Sequence, residues 1–162
     1  MNKLFVFFFL LCVIVIAGCA QDTQKRVTIE TKDTDTFTDS GDEVCKDEQG
    51  RPIIREFSTS WCPHCQWVKE TFKKVVDEYA AAGKIIAYQW EVDTNDNLLT
   101  GNQESSVPEI ELEVFRKFNP AESIPTFIFG CKYVRIGNGY EVQGDLAAEE
   151  AEFKAVIEKL VE

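Results

Sequence analysis

A chain of 162 residues has room for one domain of ordinary size and a tail, and its 44% hydrophobic and 12% aromatic content is enough to pack a core. A formal net charge of −11 argues against nucleic acid as a partner, because phosphate binding needs clustered Lys and Arg. The acidity names no partner by itself; it keeps a surface-tethered domain soluble.

The first segment, residues 1–18, reads as a signal peptide rather than as part of the fold. Lys3 supplies a short positive region, and residues 4–17 are an unbroken apolar run. In a helix that run reaches about 21 Å, short of the roughly 30 Å hydrocarbon core of a bilayer. The segment ends Ile16-Ala17-Gly18-Cys19, which resembles the lipobox of prokaryotic lipoproteins. That resemblance implies a lipid on Cys19, which would become the first residue of the mature chain. The alternative is an uncleaved signal anchor in which Cys19 is incidental. Either way the domain is expected outside the cytoplasm, anchored to the cell membrane or secreted, where disulfides persist. Residues 19–44 are rich in Thr and Asp with almost no aliphatic periodicity, so they read as a flexible tether.

The folded domain is expected over residues 45–162. A strand is predicted at residues 52–58, leading into Ser60-Trp61-Cys62-Pro63-His64-Cys65. Pro63 suits a first helical turn, where its missing N–H costs nothing. Val68, Phe72, Val75, Val76 and Tyr79 recur at helical spacing, and Gly83 stops the helix. Residues 84–92 read as a second strand, and residues 93–107, polar and Asn-rich, as a loop. A short helix follows at residues 108–118, with Ile110, Val114, Phe115 and Phe118 inward. Residues 126–129 and 133–136 form a hairpin. Asp145 caps a final helix whose inner face is Leu146, Phe153, Val156, Ile157 and Leu160.

Six cysteines sort by position. Cys12 lies within the signal, Cys19 at its end, Cys62 and Cys65 in the motif, and Cys45 and Cys131 are left over. An even remainder in an oxidising compartment suggests a bridge, the alternative being two buried free thiols. Two cysteines separated by two residues can close a disulfide and reopen it. With Cys62 at a helix N-terminus, unpaired N–H groups and the helix dipole favour its thiolate, so Cys62 is the expected nucleophile and Cys65 the resolving thiol. His64, the only histidine, can add a charge or hydrogen bond to that thiolate. A cysteine hydrolase would need its base on a separate element, and the sequence holds no second histidine to serve.

The cysteine motif, together with Ile124-Pro125-Thr126 further on, resembles the active site of the thioredoxin superfamily. The order of elements, βαβαββα over roughly residues 50–162, resembles its α/β fold, a central mixed sheet flanked by helices. The resemblance implies a cis-proline at Pro125 facing the cysteine pair, with the backbone beside Ile124 free to pair with a substrate chain and Trp61 on the rim. A trans-proline turn is the plainer alternative. The resemblance also implies a buried carboxylate at Glu56, placed to relay the proton of Cys65, although Arg55 and Glu56 also suit exposed charges near a strand end. In such a sheet Cys45 and Cys131 fall together at the edge remote from the motif, where a structural disulfide is expected. The Pro-His dipeptide resembles that of DsbA-type oxidants. Their inserted helical domain has no room here, so the architecture looks like plain thioredoxin.

The expected function is extracytoplasmic thiol–disulfide exchange with protein thiols and disulfides, without a cofactor, by a monomer served by a redox partner protein. The alternative is a soft-metal module: Cys62, Cys65 and His64 ligating Cu(I), or Cys45 and Cys131 completing a four-sulfur zinc site.

Overall fold

In the computed structural model, which describes residues 36–162, the centre of the sheet is β2 (Ile53–Ser58), five of whose six residues are buried. It pairs in parallel with β3 (Ile86–Glu91) and antiparallel with β5 (Thr126–Phe129). β6 (Tyr133–Ile136) continues the sheet beyond β5. Two-residue strands, β1 (Thr38–Asp39) and β4 (Asp96–Asn97), form its edges, giving the order β1-β6-β5-β2-β3-β4. Three helices complete the fold: α1 (Pro63–Ala81), α2 (Glu109–Phe118) and α3 (Leu146–Val161). The parallel β2–β3 pair requires the α1 crossover, whereas β5 and β6 need only a tight turn. Gly130 and Cys131, at φ +60° and +58°, supply that turn, with the Lys132 N–H donating to the Phe129 carbonyl at 3.1 Å.

Side-chain alternation divides the sheet into two packed faces. Ile54, Phe127 and Phe129 point toward α1 and α3, joining Val68, Phe72, Val76, Phe153 and Ile157. Phe57 and Ile128 point the other way, with Trp90 and Phe115 under α2. Trp90 is buried and Trp67 packs half-buried against the first core. Phe127 and Phe129 are fully buried, and Tyr133 packs against them.

The expected tether, residues 19–44, overlaps the described residues at 36–44, and there the chain is docked rather than loose. Phe37 is buried against Phe129 and Phe153, and Thr38 and Asp39 pair with Val134 and Tyr133. The Thr36 N–H and hydroxyl both donate to Glu152, at 2.7 and 2.5 Å. One large apolar side chain and a few directed hydrogen bonds anchor a segment that has no periodicity of its own. Residues 1–18, Cys19 and the rest of the tether lie outside the described residues.

Three further expectations need correction. The expected loop at residues 93–107 contains β4, because Asn97 Oδ1 accepts the Gln89 N–H at 3.0 Å and ties the turn to β3. Ile110 is 63% exposed, while Glu111 faces inward to receive Arg55, at 2.6 and 2.9 Å. Leu146 is also exposed, and Glu149 and Glu152 take inward positions on α3 around the buried Arg135 guanidinium. That guanidinium lies 4.6–4.9 Å from the ring centres of Phe37, Phe127 and Phe153. Among the described residues no helix is long and apolar enough to cross a membrane.

Candidate active site

β2 ends at Ser58, and the turn that follows is fixed from β3's side of the sheet. The Ser60 N–H and hydroxyl donate to the two oxygens of Asp93, at 2.9 and 2.6 Å, and Gln66 Nε2 donates to the Ser60 carbonyl at 3.1 Å. The polar sequence around Asp93 gives no sign of this role, because its partner lies 33 positions earlier. The turn delivers Cys62 to the N-cap of α1, with extended backbone (φ −79°, ψ 115°) and Pro63 as the first helical residue. Cys62 Sγ accepts the Cys65 N–H at 3.2 Å, taking up one of the donors that a helix start leaves unpaired. Cys62 and Cys65 are joined as a disulfide with Cα atoms 5.3 Å apart. Their exposures, 3% and 2%, do not separate the two sulfurs; helical position does. Trp61 stands beside them, 72% exposed.

The second motif arrives from β5. Thr126 pairs with Phe57, which sets Pro125 level with the end of β2 from which the cysteine turn departs. The Ile124–Pro125 peptide bond is cis. Asn119, buried at the end of α2, holds this loop by donating to the Ser123 carbonyl at 2.7 Å and to Thr126 Oγ1 at 2.8 Å. The Pro125 carbonyl accepts the Gly137 N–H at 2.7 Å, whereas the Ile124 backbone has no main-chain partner among the described residues.

Glu56 lies on the face of β2 covered by α1, with no exposed surface. Its Oε2 accepts from Gln89 Nε2 at 2.7 Å, and its Oε1 has no partner among the described residues. Burial pushes this carboxyl up to about 8, against the opposing effects of the Gln89 hydrogen bond and the Lys69 and Arg135 charges. A carboxyl that keeps its proton near neutrality can give and retake it.

His64 follows Pro63 in the first turn of α1, and its side-chain partner among the described residues is a carboxylate from another element. The histidine is exposed, and its Nδ1 meets both oxygens of Glu141, at 2.8 and 2.9 Å. Asn138 Nδ2 donates to the same carboxylate and to the His64 carbonyl, each at 2.8 Å. Burial raises the Glu141 carboxyl, but the hydrogen bonds from Asn138 and His64 outweigh it and hold the group below the usual carboxylate range. Glu141 and Asn138 carry no signal of this role in the sequence, because they lie more than seventy positions from His64.

Cys45 and Cys131 form a second disulfide, Cα atoms 5.5 Å apart, between the start of β2 and the β5–β6 turn. The six residues of β2 separate it from Cys62 by roughly 20 Å. The four cysteines therefore do not converge on a four-sulfur zinc site. Between the cysteine pair and Pro125 the chain holds α1, β3, β4 and α2 with their connections, and no inserted domain. No curated protein sequence matches the chain. A family model described as Thioredoxin matches residues 29–124, more than half of it, running through β2, the cysteine pair, β3 and α2 to the residue before the cis-proline. Sheet, helix-capping cysteine pair and matched span agree, and the chain belongs to the thioredoxin family.

Proposed function

We propose that the protein is an extracytoplasmic thiol–disulfide oxidoreductase that exchanges disulfides with protein substrates through Cys62 and Cys65. The observation that carries this reading is Cys62 Sγ at the N-cap of α1, receiving a helix N–H at 3.2 Å while bonded to Cys65. In the reducing direction the Cys62 thiolate attacks one sulfur of a client disulfide and expels the other as a thiolate. The Cys65 thiolate then attacks Cys62 Sγ, releasing the second client thiol and closing the Cys62–Cys65 bond. Two electrons pass from the pair to the client, and the reverse sequence oxidises a client dithiol. Glu56 in its ionised form accepts the Cys65 proton on resolution, and in its protonated form it returns that proton on the reverse path. Trp61 forms a rim against which the client packs, and the backbone of Ile124, which has no main-chain partner among the described residues, pairs with an extended client segment.

The Pro-His dipeptide leans the couple toward oxidation. The span from about −270 mV for thioredoxin to about −120 mV for DsbA is roughly 7 kcal/mol for two electrons, a range that a few hydrogen bonds to one sulfur can cover. We further propose that Cys19 carries a lipid, that residues upstream of 36 tether the domain to the outer face of a membrane, and that it works as a monomer recharged by a redox partner. The Cys45–Cys131 disulfide supports an oxidising compartment.

The test is turnover of insulin reduction and of oxidative refolding of a reduced client, with metal content measured on the same preparations. Wild type should accelerate exchange and Cys62→Ser should not. Stoichiometric bound copper or zinc with no accelerated exchange would instead establish the metal-binding alternative.

A further inference from the structure

Ahead of α3, a single 3-10 turn over Glu141–Gln143 brings Glu141 to the first turn of α1. Its two carboxylate oxygens bracket His64 Nδ1, and Asn138 ties the same carboxylate to the His64 carbonyl. An ionised carboxylate only accepts hydrogen bonds, so Nδ1 carries the proton and donates it to Glu141. The ring lies between the two cysteines in sequence, yet its Nδ1 donor serves a glutamate from another element.

This bears on the redox pair, because the stability of the Cys62 thiolate sets how readily the disulfide is reduced. A donor or positive charge near Cys62 Sγ favours the dithiol form, whereas a carboxylate nearby disfavours it. Glu141 opposes that thiolate twice over: it occupies Nδ1, and it places a negative charge against the one ring able to offset it. We propose that Glu141 is a positioning residue that restrains the oxidising power of the Cys62–Cys65 pair by holding His64. The inference rests on the redox reading above. It also assigns the segment between β6 and α3 a part in setting the potential. Asn138 fixes the geometry by spanning both partners.

The reaction to measure is Cys62–Cys65 disulfide plus two glutathione, giving the dithiol and glutathione disulfide. Wild type, Glu141→Gln, His64→Ala and the double variant are equilibrated in glutathione buffers and the redox state is read by thiol alkylation. Glu141→Gln should raise the equilibrium constant for reduction about tenfold, which is about 30 mV for two electrons. Cys62 of the reduced variant should also alkylate several-fold faster at mildly acidic pH. In the His64→Ala background the same substitution should change the constant less than twofold. No shift, or a shift toward the disulfide, would overturn the proposal. An undiminished shift without His64 would overturn the action through that ring. Glu141→Ala repeats the measurement, so a folding defect peculiar to the glutamine variant does not decide the matter. A wild-type protein that never equilibrates with glutathione would refute the redox reading instead.

Discussion

Cys62 and Cys65 are equally buried, so the difference between them rests on helix position alone. At the N-cap Cys62 receives an N–H that a Cys65 thiolate, one turn inside, does not. Iodoacetamide at mildly acidic pH should therefore label Cys62 of the reduced protein first; preferential labelling of Cys65 would reverse the assignment. Glu56 gives a second residue-level prediction. Its carboxyl ordinarily titrates near 4.5 and in the folded chain near 8. Between those values the folded state holds a proton that the unfolded chain has lost. Its contribution to stability is thus complete below the lower value and lost as pH rises through the upper one. Urea unfolding of wild type should show stability falling between about pH 5 and about pH 9 by on the order of 3–5 kcal/mol more than Glu56→Gln. Parallel curves would show that the carboxyl is not held in the apolar site. In turnover, Glu56→Gln should slow resolution more than initial attack. The cysteine pair and Glu56 were legible in the sequence because they sit in one continuous strand–turn–helix stretch. Glu141, Asn138 and Asp93 were not, because each meets its partner only after the chain has folded back.

At the scale of elements, α2 is fastened to the sheet by the Phe57–Phe115 stack and by Arg55 with Glu111, both buried. Leaving one of two buried charges unpaired is strongly destabilising, whereas removing both can be nearly neutral. Arg55→Leu and Glu111→Leu should each lower unfolding stability by about 3–5 kcal/mol, and the double variant by much less than their sum. Additive effects in urea titrations would mean that the pair contributes only as separate side chains. This element also marks where periodicity ran out. Phe115 and Phe118 fix one inner stripe, but its N-terminal member is Glu111 rather than Ile110, because a charge delivered from β2 makes the inward carboxylate acceptable. The long helices and β2, β3, β5 and β6 were readable from apolar spacing. β4 was not, since two polar residues held by an Asn97 side chain leave no pattern.

For the whole molecule, one disulfide closes the base of the sheet, and the proposed function has the other open and reclose at the far end. Cys45–Cys131 spans 86 positions and fixes the entry to β2 against the β5–β6 turn. In the chain-entropy account, closing such a loop stabilises by about 4–5 kcal/mol. The Cys45→Ser/Cys131→Ser variant should lose stability up to that amount while keeping Cys62-dependent exchange; loss of exchange at full stability would couple the two bridges. The strand order brings this pair together at the base, whereas the expected start of the domain at residue 45 falls later than the first docked residues. Phe37 and the Thr36–Glu152 hydrogen bonds belong to the fold, and a Thr- and Asp-rich segment does not announce one anchoring aromatic. The account stands on Cys62 as the sulfur that bonds to clients and Cys65 as the one that frees them. The most direct test is to incubate Cys65→Ser and Cys62→Ser with a disulfide-bonded client and map any covalent adducts by non-reducing peptide mass analysis. Cys65→Ser should accumulate a mixed disulfide at Cys62, and Cys62→Ser none; adducts at Cys65 in Cys62→Ser, or none in either variant, would contradict the account.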